Sequence, residues 1–216
     1  MPVKTELRAL LRAQRQEMGD GGRSDAGDGF VGQALQWAQS LRRPMAARPV
    51  TGSAVEISSP APLSIGAYLS SGTEPPTAGV VRALTDAGYH VYVPVCEVGF
   101  LLSWVRWRPD IPLHRSALAP VDEPVGERLP AAFMMEAAGI LLPALAVDAD
   151  GIRLGHGGGY YDRFLALLGP AAQRPPTVAM VYDHELLAAG AIGREPWDAP
   201  VDGVLTPRRY AATAAG

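Results

Sequence analysis

Ile140-Leu141-Leu142-Pro143-Ala144-Leu145-Ala146-Val147 is followed, after Asp148-Ala149-Asp150, by Gly151-Ile152-Arg153-Leu154-Gly155-His156-Gly157-Gly158-Gly159-Tyr160-Tyr161-Asp162-Arg163-Phe164-Leu165. The first run is apolar almost throughout, as expected of a strand buried on both faces, with Pro143 interrupting its centre. In the second, Tyr161, Phe164, Leu165 and then Leu168 recur at helical spacing. Between strand and helix lies a turn with glycine at 155, 157, 158 and 159. Strand, glycine-rich turn and helix in that order form the repeating unit of an α/β protein.

The flanking sequence repeats the alternation. Leu63–Leu69 reads as a strand, Thr77–Ala87 as a helix stopped by Gly88, and Tyr89–Val95 as a second strand. Leu101–Arg106 is a third strand, antiparallel to its predecessor, while Thr177–Tyr182 and Gly203–Leu205 complete the set. The pattern predicts an α/β fold: one open, mostly parallel sheet with helices on both faces, a Rossmann-like three-layer arrangement in a single domain spanning 1–216. Upstream, Leu7, Leu10 and Leu11 mark the apolar stripe of a helix over Pro2–Met18, whose Lys4 and Arg8 share another face one turn apart. Gly19-Asp20-Gly21-Gly22 predicts a loop through 19–28. A second helix is expected over Gly29–Arg43, with Asp28 as N-cap and Val31, Leu35 and Ala38 facing inward. Pro44–Pro62, rich in prolines and small residues, is expected to be a mobile surface loop.

With 48% apolar and 19% charged residues the chain can bury a core, and a formal charge of -3 argues against a general nucleic-acid binder. The lone Cys96 excludes an internal disulfide and a cysteine-rich zinc site, and it reads as a reduced structural thiol. Met1 to Glu17 lacks the apolar core of a signal peptide, and no run reaches the ~18 apolar residues of a membrane span. The expectation is a cytoplasmic monomer.

Four glycines free the backbone of Cβ atoms, so several N–H groups at a helix start can face one anion. Neither common phosphate motif applies: no Gly-Lys-Ser/Thr ending is present, and Tyr160 occupies a position where the dinucleotide fingerprint requires glycine. The plain alternative is a tight turn packing a helix onto the sheet. A helix N-terminus supplies only about 0.3–1 kcal/mol per exposed anion, so a polyphosphate needs cations as well. Arg153 offers a planar donor fork, and Asp162 a carboxylate that could hold magnesium or simply complement the helix dipole.

The stretch Arg153–Asp162 resembles the Arg-Leu-Gly-x-Gly-x-Gly-Tyr-Tyr-Asp signature of the 5-formyltetrahydrofolate cyclo-ligase (methenyltetrahydrofolate synthetase) family. The likeness extends to Lys4-x-x-x-Arg8, to Ser64–Ser70 with Glu74 and Thr77, to Pro143–Asp148 and to Val201–Thr206. It implies that ATP is contacted by Lys4, Arg8, Arg153, Leu154, Gly155, His156, Gly157, Gly158, Gly159, Tyr160 and Tyr161. The folate would meet Arg8, Leu69, Glu74, His156, Gly157, Gly158, Gly159 and Tyr160. Asp162 and Asp202 would bind Mg2+, and Arg153, Tyr160 and Asp162 would carry catalysis. Each has a plainer reading: Lys4 and Arg8 as a solvated face, Leu69 as core, Glu74 as a turn residue, Asp202 as the start of a strand. The implied reaction is the ATP- and Mg-dependent cyclisation of 5-formyltetrahydrofolate to 5,10-methenyltetrahydrofolate, with no protein nucleophile. A non-catalytic ATP- and folate-binding module on the same fold is the alternative. His156 stands where many relatives carry Tyr or Arg.

Overall fold

The computed structural model describes residues 4–42, 61–195 and 198–215. Helices α1 (Lys4–Glu17) and α2 (Gly19–Leu41) precede strand β1 (Ser64–Gly66), helix α3 (Ala78–Asp86), and strands β2 (His90–Glu97) and β3 (Leu101–Arg106). A hairpin of β4 (Leu113–Arg115) and β5 (Asp122–Pro124) leads to β6 (Leu129–Pro130) and β7 (Gly139–Pro143). Then come β8 (Ala146–Asp148), β9 (Arg153–Leu154), helix α4 (Tyr160–Leu168), and strands β10 (Thr177–Met180), β11 (Leu186–Leu187), β12 (Gly203–Leu205) and β13 (Tyr210–Ala212).

The main sheet has eight strands in the order β13-β12-β10-β7-β1-β2-β3-β6. Its centre, β12-β10-β7-β1-β2, is parallel, and its margins are antiparallel. Successive residues of β7 serve opposite faces, as the strand period requires. Leu141 packs with Phe30, Trp37, Val80 and Leu84 of α2 and α3. Ile140 and Leu142 pack with Phe164, Leu165 and Leu168 of α4. Each such fully buried side chain contributes roughly 1.5–3 kcal/mol, so a sheet covered on both faces is the stable arrangement. The chain moves one way from β1 to β2 and the other way from β7 through β10 to β12. That reversal opens a crevice beyond the carboxyl ends of β1 and β7, where ligands bind in open α/β sheets.

Two expectations need correction. No loop separates two helices at 19–28: α2 runs unbroken from Gly19 to Leu41, and the turn between helices is confined to Met18 and Gly19, whose φ is +67. Gly29, expected to open the second helix, lies inside α2 and permits close contact, since a Cβ on it would lie 2.4 Å from the Pro207 carbonyl oxygen. The run Ile140–Val147 is two strands in different sheets. Pro143 ends β7, and β8 turns away to form a small sheet with β9 and β11. The loop expected over Pro44–Pro62 lies mostly outside the described residues. Among the described residues no helix is long and apolar enough to cross a membrane.

Candidate active site

The crevice is a cavity of about 340 Å3. One wall, following β1, supplies Tyr68, Leu69, Ser71 and Glu74; the other, following β7, supplies Pro143 and the segment Gly155–Asp162. Leu102 and Cys96 form part of an apolar side, over which the β4–β5 hairpin lays Leu118–Asp122.

Helix α1 fastens the glycine segment from behind. Arg8 Nε donates to the Gly155 carbonyl at 2.9 Å, and Arg12 Nη2 donates to the His156 carbonyl at 2.9 Å. In a trans peptide the C=O and the following N–H point in opposite directions. With the carbonyls of 155 and 156 drawn toward α1, the N–H groups of His156 and Gly157 face away from it, toward the cavity. Among the described residues no hydrogen bond takes the backbone N–H of 156, 157, 158 or 159. Gly157 (φ +100) and Gly159 (φ +77) adopt the left-handed conformation that makes this turn, and Gly159 starts α4. The result is a nest of free donors at a helix N-terminus, suited to an anion.

Arg153 closes the base of the nest. Its Nη1 donates to the Pro143 carbonyl at 3.2 Å, its Nη2 contacts the Asp162 carboxylate, and its guanidinium lies 5.9 Å from the centre of the Tyr161 ring. Asp162 is itself 57% exposed, so its carboxylate remains open to the cleft. Across the cavity, His156 Nε2 lies 3.0 Å from Glu74 Oε1, and Glu74 Oε2 accepts from the Ser71 amide at 2.7 Å. Tyr160 turns its hydroxyl toward the Leu118 carbonyl at 3.5 Å. Burial and the neighbouring Glu123 push the Cys96 thiol up to about 12, so it is an inert wall residue.

Some expected site residues are not brought to the cleft. Lys4 is held by Asp198 at 2.9 Å and Glu195 at 3.2 Å. The Leu154 side chain is buried with Leu11, Leu145 and Ile152, leaving only its backbone beside the site. Asp202 lies at the other end of the sheet. Its amide bonds to Thr177, the first residue of β10, whereas Arg153 and Asp162 meet at Pro143, which is level with Met180 at the end of β10. Three residue steps along a strand separate those levels by about 10 Å. The Asp202 carboxylate is also occupied, accepting from Arg174 Nη1 at 2.8 Å, the Thr177 amide at 2.7 Å and the Thr177 hydroxyl at 3.0 Å. It cannot share an ion with Asp162.

Others were missed. Arg12 extends the Lys4/Arg8 face by one turn. Arg15, one further turn along, is fully buried against Glu185 and the Ala144 carbonyl and docks α1 on the carboxyl end of the sheet. Spacings of four, four and three were visible in the sequence, but solvent-facing helices show the same spacing.

An open α/β sheet with a glycine nest and arginines at its switch point defines a nucleotide-binding type of protein. The sequence profile of the 5-formyltetrahydrofolate cyclo-ligase family matches residues 1–207, and the chain belongs to that family. It is 38% identical over 151 residues to the 5-formyltetrahydrofolate cyclo-ligase of Mycolicibacterium smegmatis, covering 68% of this chain and 74% of the relative. It is 28% identical over 213 residues to that of Escherichia coli, covering 96% and 97%. The solved Aquifex aeolicus 5,10-methenyltetrahydrofolate synthetase superposes with a TM-score of 0.74 at 22% identity, over 100% of this chain and 95% of that one. A second, from Mycoplasma pneumoniae, gives 0.64 at 16% identity, over 94% and 98%. At these identities the two structures bear on the fold alone.

Proposed function

We propose that the chain converts 5-formyltetrahydrofolate to 5,10-methenyltetrahydrofolate while ATP is cleaved to ADP and phosphate. The observation that carries this reading is the outward turn of the His156 and Gly157 amides, enforced by Arg8 and Arg12 behind them. The N5-formyl oxygen attacks the γ-phosphorus and ADP departs. N10 then attacks the resulting imino carbon, loses its proton, and phosphate leaves. Phosphoryl transfer of this kind needs positioning and charge neutralisation more than a protein nucleophile. The glycine amides bind the phosphate oxygens. Arg153 adds positive charge at the nest and holds Asp162 in place. The apolar wall of Cys96, Leu102 and Leu118 excludes water beside the reacting carbon.

Magnesium borne by the triphosphate would neutralise part of its charge. Asp162, exposed at the nest, fits as its protein ligand, since this ion keeps most of its waters and needs few carboxylates. Asp202 does not fit, for the reasons of position given above. The expected form is a cytoplasmic monomer. The test is formation of methenyltetrahydrofolate, followed by its absorbance, with wild type and Asp162→Asn. The variant should melt as wild type does but lose turnover. Near-normal activity at limiting magnesium would refute the role of Asp162, and absence of product from wild type with ATP would refute the reaction.

A further inference from the structure

The turn between β2 and β3 carries an unusual backbone. Gly99 and Phe100 both have positive φ, +79 and +61, and Phe100 is the non-glycine residue in that state among those described. A side chain with a Cβ resists this conformation, and where such strain persists it tends to serve a site. Here it does not bury the ring in a core, because Phe100 remains 49% exposed. It holds the ring at the lip of the cavity, edge-on to Tyr160 with centroids 5.5 Å apart. The Arg163 guanidinium lies 4.9 Å from the centre of the same ring. Leu118, also exposed, completes an apolar lip.

The charge pattern singles out Arg163. Arg115, Arg128 and Arg153 are each taken by a carboxylate: Asp122, Glu97 and Asp162. Among the described residues Arg163 has no such partner, so the lip joins an aromatic surface to an uncompensated cation. This side of the cavity is also distinct from the α1 side, where Arg8 and Arg12 grip the glycine segment. A folate presents the complementary order. Beyond the pterin comes a benzoyl ring, then an amide, then glutamate carboxylates.

We propose that Phe100 and Arg163, with Tyr160 edge-on to Phe100, form the subsite for the aminobenzoyl-glutamate end of the substrate. The benzoyl ring packs on Phe100, and a glutamate carboxylate pairs with Arg163. The subsite rests on the folate reading of the cavity and adds to it the residues that read the tail. A chain of several glutamates would leave the cavity past the same cation, which makes Arg163 a determinant of tail preference.

The experiment compares KM for three substrates: 5-formyltetrahydrofolate, its triglutamate, and an analogue whose glutamate is replaced by methylamine and so carries no carboxylate. Arg163→Gln should raise KM about fivefold for both glutamate substrates, the scale of a partly solvated ion pair. It should leave KM for the uncharged analogue and for ATP where they were. Phe100→Leu, which removes the ring, should raise KM for all three folates. An equal change for the uncharged analogue would overturn the carboxylate pairing, and a change in KM for ATP alone would assign Arg163 to the phosphates. If wild type turns over none of the three, the folate reading itself has failed and the subsite fails with it. If wild type is active while Arg163→Gln is indifferent to the tail, only the subsite falls.

Discussion

Replacing Arg15 by alanine tests how α1 is attached to the site. Arg15 is fully buried, donating from Nε to Glu185 Oε1 at 2.6 Å and from Nη2 to Glu185 Oε2 at 2.8 Å and the Ala144 carbonyl at 2.7 Å. Among the described residues the Glu185 carboxylate accepts one other hydrogen bond, from the Tyr182 amide at 2.8 Å, with His184 Nε2 3.8 Å away. Removing the guanidinium strands a buried carboxylate, which costs about 3–5 kcal/mol, a large part of a typical total of about 5–15 kcal/mol. For a chain of this size each kcal/mol lowers Tm by about 2–4 °C, so Arg15→Ala should melt roughly 6–20 °C lower in a calorimetric or circular-dichroism scan. The double variant Arg15→Met/Glu185→Leu should recover most of the loss, because it removes both charges and fills the space with apolar groups. The buried Arg15 Nη1 has no partner among the described residues, which further favours the apolar replacement. A drop of less than about 2 °C for the single variant, or a double variant as unstable as the single, would refute the reasoning.

Two further outcomes follow from the site's surroundings. Burial, with Glu123 adding to it, raises the Cys96 thiol from 9.0 to about 12. The neutral thiol is therefore favoured in the folded state: its contribution is full below pH 9 and is lost as pH rises through the folded value. At pH 8 alkylation should run about two to three orders of magnitude slower than for the denatured chain; equal rates would contradict the buried environment. Asp202→Asn should lower stability by about 1–3 kcal/mol through its bonds to Arg174 and Thr177, without changing the magnesium dependence of turnover. A shift in that dependence would return Asp202 to the metal site.

The sequence reads clearly where local chemistry and the native structure agree. The glycines of 155–159 between an apolar run and a helical period announced a strand, a tight turn and a helix, and β7, the left-handed Gly157 and Gly159, and α4 are present. Local chemistry misled at Gly19–Asp28, because the low helix propensity of glycine is outweighed by packing. Phe30 is buried on the sheet, and Gly29 allows the close approach to Pro207. Arg12 and Arg15 passed unnoticed for a different reason. Their period along α1 was visible, but their partners, His156 and Glu185, are 144 and 170 positions away.

By itself, then, the sequence determined the class of fold and the glycine-rich turn, since both follow from periodicity and from the freedom of glycine over a short span. Only the tertiary structure decided which charges meet there. Asp202 illustrates the limit: nothing local says at which end of its strand it falls, and sheet register places it against Arg174, about 10 Å below the level at which Arg153 meets Asp162. Charge pairing depends on distance in space, and that distance is set by how strands and helices pack, which neighbours along the chain do not reveal.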